Sequence, residues 1–114
     1  MNLDELVREI RIASSDPAAQ GAADLLAAWK TAGTTADELA SAVEHYLGNV
    51  WIEKDQDHSH VYALWSAFRK DAIDGIRGMT MNERLYWFGL LDQFDASHCD
   101  DDRLGLYKKL HARP

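Results

Sequence analysis

Apolar side chains recur three and four positions apart along most of the chain, and helix-start signals punctuate the repeats. Leu3, Leu6, Val7 and Ile10 form the first stripe. Asn2 precedes it with Glu5 three positions on, the reciprocal pair of a capping box. Asp16-Pro17 opens a second helix, because Asp accepts orphan backbone N–H groups and Pro at the first helical position lacks a donor that would go unused. Ala22, Leu25, Leu26 and Trp29 follow, and Gly33 is the expected stop. Thr35 with Glu38 starts a third helix carrying Leu39, Ala42, Val43, Tyr46 and Leu47, closed by Gly48. Beyond the charged segment Glu53–Asp57, either Asp57 or Ser59 is expected to cap a fourth helix. Its stripe, Val61, Leu64, Trp65, Phe68, Ala72, Ile73 and Ile76, is the longest in the chain and runs to Gly78. Thr80 with Glu83 opens a fifth helix, in which Leu85, Trp87, Phe88, Leu91 and Phe94 cover more than one face, so it is expected to be central. Asp100 or Asp101 caps a last short helix with Leu104, Tyr107 and Leu110.

No alternating Val/Ile/Thr run marks a strand, and the only prolines are at positions 17 and 114. The pattern predicts an all-α fold: a compact bundle of five to six short antiparallel helices in a single domain, residues 1–114. There is no internal repeat and no linker. The tryptophans and phenylalanines lie at helical spacing and read as core.

Composition narrows the class. An apolar fraction of 46% is that of a folded globule rather than a disordered chain. With 19 acidic and 12 basic side chains the net charge is -7, which argues against holding nucleic acid through its phosphates. The lone Cys99 cannot form an internal disulfide, so a reducing cytoplasm is the expected compartment. Met1–Glu5 has no basic, then apolar, leader pattern. The run Leu85–Leu91 falls far short of the ~20 apolar residues of a membrane span, so no membrane partner is expected.

The motifs that carry chemistry are weak. Asp55 with His58, Asp57 with His60 and Asp95 with His98 each place a carboxylate and an imidazole three apart. Di-metal bundles instead draw on Glu-x-x-His pairs from two helices, and the chain has none. His98-Cys99-Asp100 sets a base, a thiol and a carboxylate in a row, but the partners of a nucleophilic triad converge from separate elements. Ala32–Ala40 resembles the first half of a helix-turn-helix, yet the following segment would bring Glu53, Asp55 and Asp57 to the phosphates. No catalytic residue, metal or cofactor is therefore assigned, and a non-enzyme is expected.

Charge distribution is more informative. Residues 1–57 carry 11 acids and 4 bases, whereas residues 58–114 carry 8 of each, so the whole excess lies in the first half. Around the segment after the third helix, Glu44, Glu53, Asp55 and Asp57 flank Tyr46 and Trp51. Aromatic anchors ringed by carboxylates suit a basic protein partner: the rings supply desolvated area, and the charges steer encounter. A second group, Asp92, Asp95, Asp100, Asp101 and Asp102, stands next to Arg103 and Lys108, which are expected to pair with it and weaken it as a docking surface.

In size, helicity, acidity, its lone cysteine and the aromatic segment Met79–Asp95, the chain resembles the small bacterial immunity proteins of contact-dependent growth inhibition and colicin systems. That resemblance implies a cytoplasmic, non-catalytic inhibitor that covers a basic cognate toxin domain, often a nuclease, without itself touching nucleic acid. Two other readings stand beside it. One is an interaction module that self-associates through the wide face of the fifth helix; the other is a metal-dependent helical-bundle enzyme.

Overall fold

A computed structural model describes all of residues 1–114. It is all-α, with seven α-helices: α1 Leu3–Ala13, α2 Pro17–Trp29, α3 Ala36–Asn49, α4 Asp55–Phe68, α5 Met81–Trp87, α6 Leu91–Asp95 and α7 Asp100–Lys109. Between α4 and α5 the chain passes through a π-helical turn, Arg69–Ile73, and a 3-10 turn, Ile76–Gly78. No helix is long and apolar enough to cross a membrane.

The capping boxes read from the sequence form as expected. Asn2 with Glu5, Thr35 with Glu38 and Thr80 with Glu83 each exchange both reciprocal hydrogen bonds. Asp16 caps α2 by accepting the Ala18 N–H at 2.9 Å. Other boundaries differ. The second helix stops at Trp29, before Gly33, and the third runs through Gly48 to Asn49. Neither Asp57 nor Ser59 caps the fourth helix, which begins at Asp55 after Lys54, with no side-chain cap. Its long stripe is not one α-helix, because the π turn at Arg69–Ile73 shifts its register. Cys99 occupies the N-cap position of α7, and Asp100, Asp101 and Asp102 fill its first turn, where the helix dipole favours them.

The largest departure is the fifth segment, where two helices replace one. α5 ends in a Schellman motif: Leu90 N–H reaches Leu85 C=O at 2.8 Å, and Gly89 N–H reaches Tyr86 C=O at 3.2 Å. Gly89 has φ +66°, and a Cβ there would come within 2.7 Å of the Asp4 carboxylate. Glycine is thus required both by conformation and by space. The break explains why the apolar positions covered more than one face. Leu85, Phe88 and Leu90 all turn into the core, so the wide face expected for self-association does not exist as one surface.

Contacts across the first four helices fix their directions. Arg11 pairs with Asp24 and Lys30 with Asp4, so α1 and α2 run antiparallel. Tyr46 bonds Ala18 while Trp29 bonds Thr35, so α2 and α3 do too. Ser14 bonds Asp57, which brings the end of α1 to the start of α4. The Phe88 ring packs edge-to-face with Phe68 and tilted against Trp29, with ring centroids 5.6 and 5.5 Å away. Through that cluster α5–α7 close the end of the bundle at which α1 starts and α2 stops. The α1–α2 turn and the α3–α4 loop form the opposite end. The fold is therefore an antiparallel four-helix core with a lid of three short helices, rather than five or six equivalent antiparallel helices. It is elongated, 46 × 25 × 21 Å.

Two buried cations hold the lid. Lys109 is only 7% exposed; its ammonium donates to the carbonyls of Trp29 and Ala32 at the end of α2 and lies 4.1 Å from the Trp29 ring centre. Burial pushes its pKa below the usual lysine value, and the helix-end carbonyls and the indole face offset that desolvation. Arg84 donates in turn to Leu110 C=O at the end of α7 and to Met79 C=O, both at 3.1 Å. α7 also ends in a Schellman motif, with His111 at φ 56° in the position that glycine usually takes. From there His111 Nε2 accepts the Asp37 N–H at the start of α3, at 3.2 Å.

Lys109→Met keeps the aliphatic stem but leaves the Ala32 carbonyl without a donor and the Trp29 carbonyl with only the Ala32 N–H. Urea denaturation should show a loss of about 2 kcal/mol, whereas Lys108→Met, at an exposed position, should be neutral within about 0.5 kcal/mol.

Candidate protein-binding surface

The α3–α4 loop sits against the α1–α2 turn, and side chains of that turn grip it. Asp16 Oδ2 accepts the Glu53 N–H at 3.0 Å. Ser14 Oγ donates to Asp57 Oδ2 at 2.7 Å and accepts the Asp16 N–H at 3.1 Å. Between these contacts Ile52 is driven into the core, only 3% exposed, and Trp51 points the other way, 80% exposed. Apolar side chains scattered singly on a surface are ordinary. An indole held almost wholly in water on a tethered loop, with the adjoining residue buried, is the least ordinary feature of this surface.

Of the residues expected to form the first docking surface, the structure brings together Trp51, Glu53, Asp55 and Asp57. Glu53 and Asp55 are exposed and make no ion pair. Asp57 is half-buried and engaged by Ser14, so it serves the architecture as well as the charge. Asp16 adds a further carboxylate. It was legible as a helix cap, but only the tertiary fold shows that its second oxygen reaches the loop.

Glu44 and Tyr46 do not belong to this surface. Glu44 lies against Arg69 and accepts the Trp65 indole N–H at 3.3 Å. The Arg69 contact is close but off-axis, since Nε makes no aligned hydrogen bond, and it acts as a charge contact. Tyr46 is a strut between helices. Its hydroxyl donates to Ala18 C=O at 2.9 Å, and it fills the space over Gly21, where any Cβ would overlap it. Its hydroxyl and the ring edge beside Gly21 are thus committed inside the protein, and the ring is only partly exposed.

The second acidic group lies at the opposite end of the molecule, on α6 and α7. Asp92, Asp95, Asp100, Asp101 and Asp102 are all exposed, and none makes an ion pair. The basic tail does not neutralise them as expected. Arg103 sits over the Phe94 ring, 5.2 Å from its centre, and Lys109 is spent on α2. Asp102 also borders an open cleft of about 640 Å³ shared with Lys30, Lys108 and Glu38, so cations do stand beside this patch. No large aromatic side chain is as exposed there as Trp51 is at the other end.

The other candidate chemistry stays dispersed. No group of three or more His, Cys, Asp or Glu side chains converges as a metal site. His58 stacks on Tyr62 with ring centres 4.7 Å apart, and Cys99 is exposed at the start of α7.

Backbone hydrogen bonds stabilise the charged form of three carboxylates, Asp16, Glu38 and Glu83. The N–H groups of Glu53 and then Ala18 hold the Asp16 carboxyl below its usual value of 3.8. The backbone and then the hydroxyl of Thr35 do the same for Glu38, and those of Thr80 for Glu83, relative to 4.5. A depressed folded pKa contributes stability that is complete above the unfolded value and is lost as pH falls through the folded one. Thermal midpoints should therefore stay level from neutral pH down to about 5 and decline below about 4.5, with a shallower decline in Glu38→Gln/Glu83→Gln. No protein-family model, curated protein or solved structure matches the chain.

Proposed function

We propose that this protein is a non-catalytic inhibitor that docks a basic protein domain onto the end of the bundle carrying Trp51. In the immunity-protein reading, that domain is the cognate toxin, and the protein works in the bacterial cytoplasm. The observation that carries the proposal is Trp51: an indole 80% exposed, flanked by the unpaired carboxylates Glu53 and Asp55 and backed by Asp16 and Asp57. Tryptophan is enriched at interface hot spots because a large rigid ring buries much area for little conformational entropy. The carboxylates around it raise the association rate with a cationic partner and reject acidic surfaces. A nuclease that grips phosphate presents such a cationic surface, and covering it requires no catalytic group on the inhibitor.

The α6–α7 acids are the lesser choice for this role, since lysines stand beside them and no comparable aromatic anchor does.

The test is co-purification with the basic domain encoded beside the gene. Trp51→Ala and Glu53→Lys/Asp55→Lys should each weaken binding by at least tenfold, about 1.4 kcal/mol; the thermal midpoint should stay at the parent value in the first and fall by no more than the worth of one first-turn charge on α4, about 1 kcal/mol, in the second. Asp57 is left unchanged because Ser14 depends on it. Tyr46→Phe should bind like the parent. Full binding by both surface variants, or no basic partner at all, would sink the proposal.

A further inference from the structure

One carboxylate serves two elements at once. Asp16 Oδ1 accepts the Ala18 N–H at 2.9 Å as the cap of α2, and Oδ2 accepts the Glu53 N–H at 3.0 Å from a loop 37 residues away. Around it the restraints converge on a single stretch of chain. On one side of the indole, α3 ends at Asn49. On the other, the Ile52 side chain is locked in the core and the Glu53 amide is tied to Asp16. Two residues before Asp16, Ser14 takes the Asp16 N–H and grips Asp57 in the first turn of α4. The three-residue turn Ser14–Asp16 thus holds both the loop and the helix that follows it. Trp51 is the one large apolar side chain in this loop that nothing inside the protein covers.

We propose that Asp16 is the positioning residue of the Trp51 surface: its second carboxylate oxygen holds the Trp51–Lys54 loop so that the indole is presented before any partner arrives. The inference rests on the reading of Trp51 as a docking anchor and adds how the anchor is kept ready. A loop ordered in the free protein has already lost the freedom that binding would otherwise remove, which is how pre-organisation raises affinity. Asp16 touches no partner in this scheme; it acts through the Glu53 amide.

The two jobs can be separated. Serine is as good an N-cap as aspartate, so Asp16→Ser keeps the bond to Ala18, but it lacks the second oxygen that reaches Glu53. Asp16→Asn serves as a second variant, because its one carbonyl oxygen caps while its amide nitrogen turns a donor toward the Glu53 N–H. In the free full-length protein, amide exchange at Glu53 should quicken about tenfold in both variants, the worth of one charge-assisted hydrogen bond. The order parameter of the Trp51 backbone N–H should fall from the rigid range near ~0.85 to below ~0.6. Exchange at Leu26 and Val43, in the core of α2 and α3, should not change. Unchanged Glu53 exchange in both variants would show that Ile52 alone holds the loop and would overturn the proposal. So would quickening at Glu53 matched by equal quickening at Leu26 and Val43, since that is general destabilisation. Neither measurement involves a partner, so a rigid, Asp16-dependent loop in a protein that binds no basic domain would overturn only the functional reading.

Discussion

The ammonium of Lys109 on the carbonyls of Trp29, which ends α2, and of Ala32 in the turn after it is the contact on which the rest of the arrangement depends. α2 has no basic residue in its last turn and no acidic residue in its first. The charges that complement its dipole come from outside it: Lys109 at the carbonyl end and Asp16 at the N–H end. Between those ends Ala19, Ala22 and Ala23 keep the helix thin on its buried side, where α1 and α3 lie against it. Fixing α2 at both ends sets the geometry of both ends of the protein. The lid of α5–α7 is tied to one end by Lys109 and the Phe88 cluster, with Arg84 joining α5 to the end of α7 inside it, and the Trp51 loop is tied to the other end by Asp16.

That arrangement gives the acidity of the chain an address. The two carboxylate groups stand at opposite ends of a 13-residue helix, roughly 20 Å apart along its axis. They are separate surfaces rather than one acidic coat. Only one of them has an aromatic side chain standing in water on a tethered loop. The other lies beside a cleft bordered by lysines. The same sign of charge therefore has different consequences at the two ends, and the difference comes from neighbours rather than from the count of acids.

The reciprocal caps were legible in the sequence; the caps of α4 and α7, the stops at Gly33 and Gly48 and the tertiary contacts were not. The capping boxes at Asn2, Thr35 and Thr80 and the cap at Asp16 form as read, because each is settled within a few residues. The all-α class followed from periodicity for the same reason. Gly89 was visible but unread: the run Phe88-Gly89-Leu90-Leu91 looks like a continuing helix until Asp4, 85 positions earlier, is brought over the glycine. Lys109 and Arg84 were missed because a charged side chain is assigned to solvent unless the helix ends it satisfies are known. Tyr46 and Trp51 looked alike as aromatics near acidic residues, yet one is a strut and the other is free. What separates them is that α2 offers a carbonyl and a glycine to Tyr46 and nothing to Trp51.

On our proposal, recognition is confined to the Trp51 end. Amide and indole chemical-shift mapping of the labelled protein, titrated with the basic domain that the proposal expects beside its gene, tests this most directly. The predicted result is a set of perturbations covering the Trp51 indole, Glu53 and Asp55, with the amides of α6 and α7 unmoved. Perturbations centred on Asp92 to Asp102, with Trp51 silent, would contradict it.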